Sequence, residues 1–311
     1  MEYRPIEGTD LRVSVLGYGA APLGDVYGQV DPATGIRSVR AALDLGVTVI
    51  DVSPYYGRTR AETVLGRALA GVDRDAYTLA TKVGRYGLDD FDFGAARVRR
   101  SVDESLARLG TGHLDLVQVH DIEFGDLTQV VDETLPALAG LREAGKIRHL
   151  GVTGYPLAAL ASVAARAELD TVLSYCHYTL LDRSLADWAP MFAERGVAVL
   201  NASPLAMGAL TARGAPPWHP APAEVLRCCA AAAEVCARRG TTLEELALRF
   251  AVGYPGVATT FVGMPDEEQV RANVRGALGP PDPDLLAEVD RVLAPARNRT
   301  WPSGRPENNR P

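Results

Sequence analysis

Eight times along this chain a short apolar run gives way to a segment whose apolar residues recur at helical spacing. That alternation narrows the choice of fold more than any other feature. The strand-like runs are 13–19, 47–52, 77–83, 114–120, 149–153, 171–175, 197–201 and 259–263. The helical segments are 36–45, 61–70, 95–109, 135–143, 157–167, 185–195, 243–252 and 267–276. Right-handed crossovers lay each helix on the outside of a parallel sheet, and eight regular units favour closure over a doubly wound open sheet. The expectation is an α/β protein, a (β/α)8 TIM barrel spanning residues 1–311 as one domain. Residues 3–15 read as a hairpin cap ahead of the barrel, 224–239 as an inserted Ala-rich helix and 285–293 as an extra helix. The polar stretch 295–311 carries one large aromatic, Trp301, which suggests a tail folded over the barrel mouth.

A chain of 311 residues fits one such barrel. Its net charge of −7 argues against a nucleic-acid or membrane-surface protein. Neither a membrane span nor a signal-peptide core is visible, so the expected location is the cytoplasm. Cys176, Cys228, Cys229 and Cys236 lack metal-ligand spacing and read as reduced structural thiols, and no metal site is expected.

The chemistry gathers where strands end. The second run finishes at Asp51, followed by Ser53-Pro54-Tyr55-Tyr56; the third brings Lys82 and the fourth His120. Carboxyl ends of parallel strands are where ligands collect. Of 32 basic residues only Lys82 and Lys146 are lysine. A chain that otherwise uses arginine thus places a compact, tunable ammonium at the end of a buried strand. Singly, each residue has a plain structural reading: Asp51 as a turn cap, Tyr56 as wall packing, His120 as a satisfied core histidine, Lys82 as a surface charge. Together they supply what proton transfer at a carbonyl or alcohol oxygen needs. The expected tuning is a Tyr56 phenol pulled below its free value by Lys82, with Asp51 aiming the ammonium. Redox chemistry would further require a hydride carrier. Asp121 and Glu123 read either as sugar ligands or as loop solvation. His113, His149 and His219 read as structural or exposed, and His177 stays open.

These four residues in this order resemble the catalytic tetrad of the aldo-keto reductases. The strings GYGAAPLGDVYG, DVSPYYG, ATKVGRY, VQVHDIEFGDL, GKIRHLGVTGYP, LSYCHY, SPLAMGAL, PPWHPA and NRTWPSG look like the plant-type L-galactose dehydrogenase branch. The resemblance implies a monomeric or weakly associated barrel and hydride transfer between nicotinamide and an aldose C1. Tyr56 would be the base in oxidation, and His120 would orient the sugar. The cofactor, NAD rather than NADP, would be held by Gly19, Thr153, Ser174, Ser203, Leu205, Gly208, Gly263, Met264, Pro265, Gln269 and Asn273. Gly154 stands where the family usually has an asparagine on the carboxamide, and Pro265 where phosphate-binding relatives commonly have a basic side chain. Tyr27, Tyr55, Phe124 and Trp301 would form the sugar wall. The implied activity is NAD-dependent oxidation of L-galactose, or of L-fucose with the same ring stereochemistry, to the lactone. NADPH-dependent reduction of small aldehydes and a catalytically idle, cofactor-sensing subunit are the alternatives.

Overall fold

A computed structural model describes residues 1–309, so positions 310 and 311 of the expected tail lie outside the described residues. Eight parallel strands close into a barrel in the order β10-β3-β4-β5-β6-β7-β8-β9. They are β3 (Leu16–Gly19), β4 (Val49–Asp51), β5 (Thr78–Val83), β6 (Leu114–Val119), β7 (Ile147–Gly154), β8 (Thr171–Tyr175), β9 (Ala198–Ala202) and β10 (Thr260–Gly263). Every residue of β5 and β6 is buried, as expected of strands covered on both faces. The helices α1 (Pro32–Asp44), α2 (Arg60–Leu69), α3 (Ala95–Leu109), α5 (Leu135–Glu143), α6 (Leu157–Ala164), α7 (Leu185–Glu194), α9 (Leu243–Val252) and α10 (Glu267–Gly276) follow the strands in turn.

Before the barrel, β1 (Tyr3–Pro5) and β2 (Arg12–Ser14) pair antiparallel. Ile6, Leu11 and Val13 of this hairpin join Val49, Ala80, Leu116, Leu200 and Phe261 in one apolar cluster. The barrel is therefore plugged at the amino ends of its strands. Residues 13 and 14 belong to this hairpin and not to the first barrel strand as expected from sequence. Ser14 causes the break: its hydroxyl donates to Leu16 O at 2.7 Å and accepts Thr48 N–H at 3.0 Å, so a side chain takes over backbone pairing at the corner.

One helix start moves, and another gains a lead-in. Helix α1 begins at Pro32 because Asp31 caps it, accepting Thr34 N–H at 2.9 Å with proline behind. Ahead of α5, the chain already coils through α4 (Leu127–Gln129) and a wide turn, Val130–Thr134. The inserted helix is α8 (Ala223–Arg238), and α11 (Pro283–Leu293) packs on it through Val225, Cys229, Val235, Leu285, Val289 and Leu293. Among the described residues no helix is long and apolar enough to cross a membrane.

Candidate active site

Asp51 closes β4, Lys82 lies in β5, and His120 directly follows β6, its N–H donating to Val83 O at 2.8 Å. Tyr56 stands in the turn after β4, pinned by Tyr56 N–H to Ser53 O and Ala61 N–H to Tyr56 O. Gly24 allows this turn to seat: a Cβ there would run into the Tyr56 carbonyl carbon. The sheet register sets Asp51 beside Ala80 and Lys82 beside Gln118, so adjacent strands deliver their side chains to one place.

The four residues meet. Lys82 Nζ is 2.5 Å from Asp51 Oδ2, 3.0 Å from Val52 O and 3.4 Å from Tyr56 Oη. Gln118 Nε2 donates to the other Asp51 oxygen at 3.4 Å. The His120 ring meets the Tyr56 ring edge-on at 5.8 Å, and its Nδ1 is 2.9 Å from Ser53 Oγ. Burial pushes the Asp51 carboxyl up, and the Lys82 ammonium pulls it part of the way back. Burial likewise drives His120 down to about 3, against the pull of Asp121, so the imidazole is neutral at ordinary pH.

Tyr56 departs from the sequence expectation. Its phenol is pushed well above the free value, first by burial, then by the Asp51 and Asp121 carboxylates. The nearer hold of Lys82 is on Asp51, which neutralises much of the ammonium's field at the phenol.

The expected sugar wall divides into separate contacts. Tyr55 alone touches the tetrad, with ring distances of 5.9 Å to Tyr56 and 5.8 Å to His120. Phe124 stacks on Phe91 at 4.7 Å. Tyr27 is 44% exposed and leans on Trp218 at 5.9 Å. The phenol of Tyr27 is nonetheless pushed up, first by the protein around it and then by Cys176, Tyr56 and Tyr55. Trp301 stacks on Tyr155 at 5.1 Å and meets His219 edge-on at 5.3 Å.

Asp121 and Glu123 take roles the sequence did not suggest. Asp121 pairs with Arg85, whose guanidinium lies 4.0 Å over the Tyr55 ring and 5.0 Å from that of Phe124. Glu123 is fully buried, so it does not solvate its loop. Its Oε1 accepts Ser303 Oγ–H at 2.9 Å, Tyr175 Oη–H at 3.2 Å and Tyr155 N–H at 3.2 Å. Arg305 N–H and Asn308 Nδ2–H both reach its carbonyl at 2.9 Å. The tail is thus clamped onto Glu123. Burial, followed by repulsion from Asp121, raises the Glu123 carboxyl to about 8. Arg85 had no compositional signal among so many arginines, and neither Ser53 nor Glu123 could be read from neighbours in sequence.

The residues expected to hold the cofactor lie in β3, β7, β8 and β10, in the loops after β9 and β10, and in α10. Gly19 lies beside Asp51 in the sheet, and a Cβ there would come within 3.1 Å of Val262 O. Thr153 Oγ1 accepts Asp121 N–H at 3.0 Å and keeps its own proton to donate. Ser174 Oγ, next to Gly154 in the sheet, is buried without a partner. Ser203, Ala206, Met207 and Gly208 all have positive φ, so the loop after β9 is wound tightly, with Gly208 N–H turned inward to Leu205 O. The carbonyl of Met264 is taken by Tyr18 and Ser38 at 2.9 and 2.6 Å. Past Gly263 and Pro265, Asp266 caps α10 through Gln269 N–H at 2.8 Å. Gln269 Nε2 donates to Asn273 Oδ1 at 2.8 Å, and Asn273 Nδ2 to Gly263 O at 3.3 Å. A nicotinamide dinucleotide fits this set. The orphaned Ser174 hydroxyl and the free Thr153 proton suit a carboxamide, and the wound loop suits a pyrophosphate.

His177 Nδ1 pairs with Asp182 at 3.2 Å while its Nε2 is buried without a partner. His149 is held between Asp10 and Asp170, and His219 Nε2 donates to Ala206 O, as structural histidines do. All four cysteines are free thiols, and among the described residues no cluster could hold a metal.

Residues 15–294 match the Aldo/keto reductase family. This chain belongs to that family. The aldo-keto reductase is 44% identical to L-galactose dehydrogenase of Arabidopsis thaliana, with 99% of each chain covered. It is 33% identical to D-arabinose 1-dehydrogenase of Saccharomyces cerevisiae, over 83% of this chain and 81% of that one. Its fold superposes on the holo form of an aldo-keto reductase from Bacillus halodurans with a TM-score of 0.80, at 28% identity and full coverage of both chains. The protein is an oxidoreductase acting on CH–OH groups, and the family and these relatives imply a nicotinamide cofactor.

Proposed function

We propose that this aldo-keto reductase oxidises an aldose at C1 to the aldonolactone, with NAD as the acceptor and L-galactose or L-fucose as the sugar. The observation that carries the reading is the junction of Lys82 with Asp51 and Tyr56 at the barrel mouth, beside a neutral His120. The 44% identity to a plant L-galactose dehydrogenase over 99% of both chains supports the choice of sugar. In the oxidation the anomeric C–H bond breaks as hydride and the O–H bond as a proton. Nicotinamide, when bound, supplies the hydride acceptor. Tyr56 takes the proton at Oη, and His120 holds the oxygen that loses it. Lys82 tempers the cost of a phenolate beside Asp51. Pro265 followed by Asp266, Glu267 and Glu268 offers no cation to a 2′-phosphate, which favours NAD.

One observation favours the reverse direction. A phenol held well above its free value stays protonated, which is the form from which reduction of a small aldehyde draws its proton. Initial rates with L-galactose, L-fucose and D-arabinose, each with NAD and with NADP, decide between the two. Faster turnover of small aldehydes with NADPH than of any of these sugars with NAD would overturn the proposal.

A further inference from the structure

Ser53 is fully buried in the turn between Asp51 and Tyr56, and its hydroxyl contacts two groups. Tyr55 N–H donates to Ser53 Oγ at 3.1 Å, and His120 Nδ1 lies 2.9 Å from the same oxygen. Which atom carries the hydrogen in the second contact is settled by counting protons. If His120 were the donor, Ser53 would accept two hydrogen bonds, and its own O–H would point at no other acceptor among the described residues. A buried hydroxyl proton left unmatched costs about 1–3 kcal/mol. If Ser53 is the donor, all three groups are satisfied. His120 Nδ1 is then a bare acceptor and the ring hydrogen sits on Nε2.

The opposite edge of the ring agrees. Asp121 Oδ2 lies 3.6 Å from His120 Nε2 and is held there by Arg85. A carboxylate that close to the Nε2 lone pair would be repelled, whereas it is attracted to an N–H. Two independent contacts, one on each nitrogen, select the same tautomer.

We propose that Ser53 is a positioning residue that fixes His120 as the Nε2–H tautomer, so that the imidazole presents a donor to the substrate oxygen beside Tyr56. Without the Ser53 proton the ring can rotate its hydrogen to Nδ1, and the mouth would then face the oxygen with a lone pair. The sugar's anomeric oxygen, or equally an aldehyde oxygen, needs a donor there. The inference rests on the active-site reading but not on which direction or substrate is physiological.

The test reads the tautomer directly. Long-range proton–nitrogen correlation spectra of histidine-labelled protein distinguish Nδ1–H from Nε2–H, and a His120→Asn sample assigns the signal among the five histidines. The parent should show His120 as Nε2–H. Ser53→Ala should shift the signal toward Nδ1–H and lower kcat about tenfold, the worth of one hydrogen bond, with the KM for cofactor little changed. Ser53→Thr, which restores the hydroxyl, should recover the parent tautomer and most of the rate. A parent spectrum showing Nδ1–H overturns the proposal, and that measurement needs no folded variant. So does a folded Ser53→Ala protein that keeps both Nε2–H and the parent kcat. Absence of any sugar turnover in the parent would instead count against the proposed substrate and leave the tautomer result standing.

Discussion

Lys82 Nζ lies 2.5 Å from Asp51 Oδ2 and 3.4 Å from Tyr56 Oη. One ammonium therefore serves a carboxylate and a phenol, and the carboxylate has the closer hold. Seen from the phenol, the pair is nearly neutral, which is why burial decides the Tyr56 shift and Lys82 does not. Lysine is still needed, because Arg85 answers Asp121 and without Lys82 the Asp51 carboxylate would face the phenol uncompensated.

Lys82→Met should lower kcat on the order of a hundredfold, within the range for lost acid–base support. The sign of the pH effect follows from the charges. Removing a cation raises the Tyr56 phenol further, so the rise of oxidation rate with pH should move to higher pH. Lys82→Arg keeps the charge in a wider, flat group and should recover only part of the rate. A Lys82→Met enzyme with the parent rate and the parent pH profile would remove Lys82 from the mechanism.

Cofactor choice should turn on the start of α10. Asp266 is bound to Gln269 N–H, and Glu267 already pairs with Arg37 at 3.1 Å. Pro265→Arg should raise the NADP-to-NAD ratio of kcat/KM by about tenfold, a change of about 1.4 kcal/mol. An unchanged ratio would mean that the 2′-position is read by other residues.

The eight strand-helix units and the meeting of the four mouth residues were legible in the sequence because both follow from local patterns. Apolar spacing sets each unit, and Asp51, Tyr56, Lys82 and His120 stand at strand ends that the units themselves mark. What could not be read depends on distant partners. The hydroxyl of Ser14 splits the first core strand through Thr48, Ser53 reaches His120 across 67 positions, and Glu123 meets Ser303 across 180. The Tyr56 shift was misjudged in sign for a related reason: sequence shows which charges are near, but not how completely water is excluded.

Glu123 makes stability depend on pH in an unusual sense. Its folded carboxyl sits at about 8 against an ordinary 4.5, so the native state binds the proton more tightly than the unfolded chain. Stability from this group is fully present below the unfolded value and is lost as pH rises toward about 8. Melting temperature should fall between about pH 5 and 8.5 in the parent. Glu123→Gln, which mimics the protonated acid, should flatten that slope and melt higher at the alkaline end. A parallel decline in both proteins would assign the slope to other groups.

Trp301→Ala should raise KM for the aldose about fivefold, roughly 1 kcal/mol, and leave the dissociation constant for NAD unchanged. The indole lies against Tyr155 and His219. Equal weakening of both ligands would make Trp301 a general packing residue.

The grip of Ser303 and Asn308 on Glu123 also fixes an order of events. Barrel strands pair mostly with neighbours one unit away, whereas this clamp closes a loop of 180 residues or more. Chain entropy delays such closure until the barrel holds both ends near one another. The clamp should therefore be unformed in the folding transition state. Weakening it with Ser303→Ala should speed unfolding and leave the refolding rate unchanged. The mouth of this barrel is then the part completed last on folding and surrendered first on unfolding, so catalytic competence should return after the bulk of the structure does.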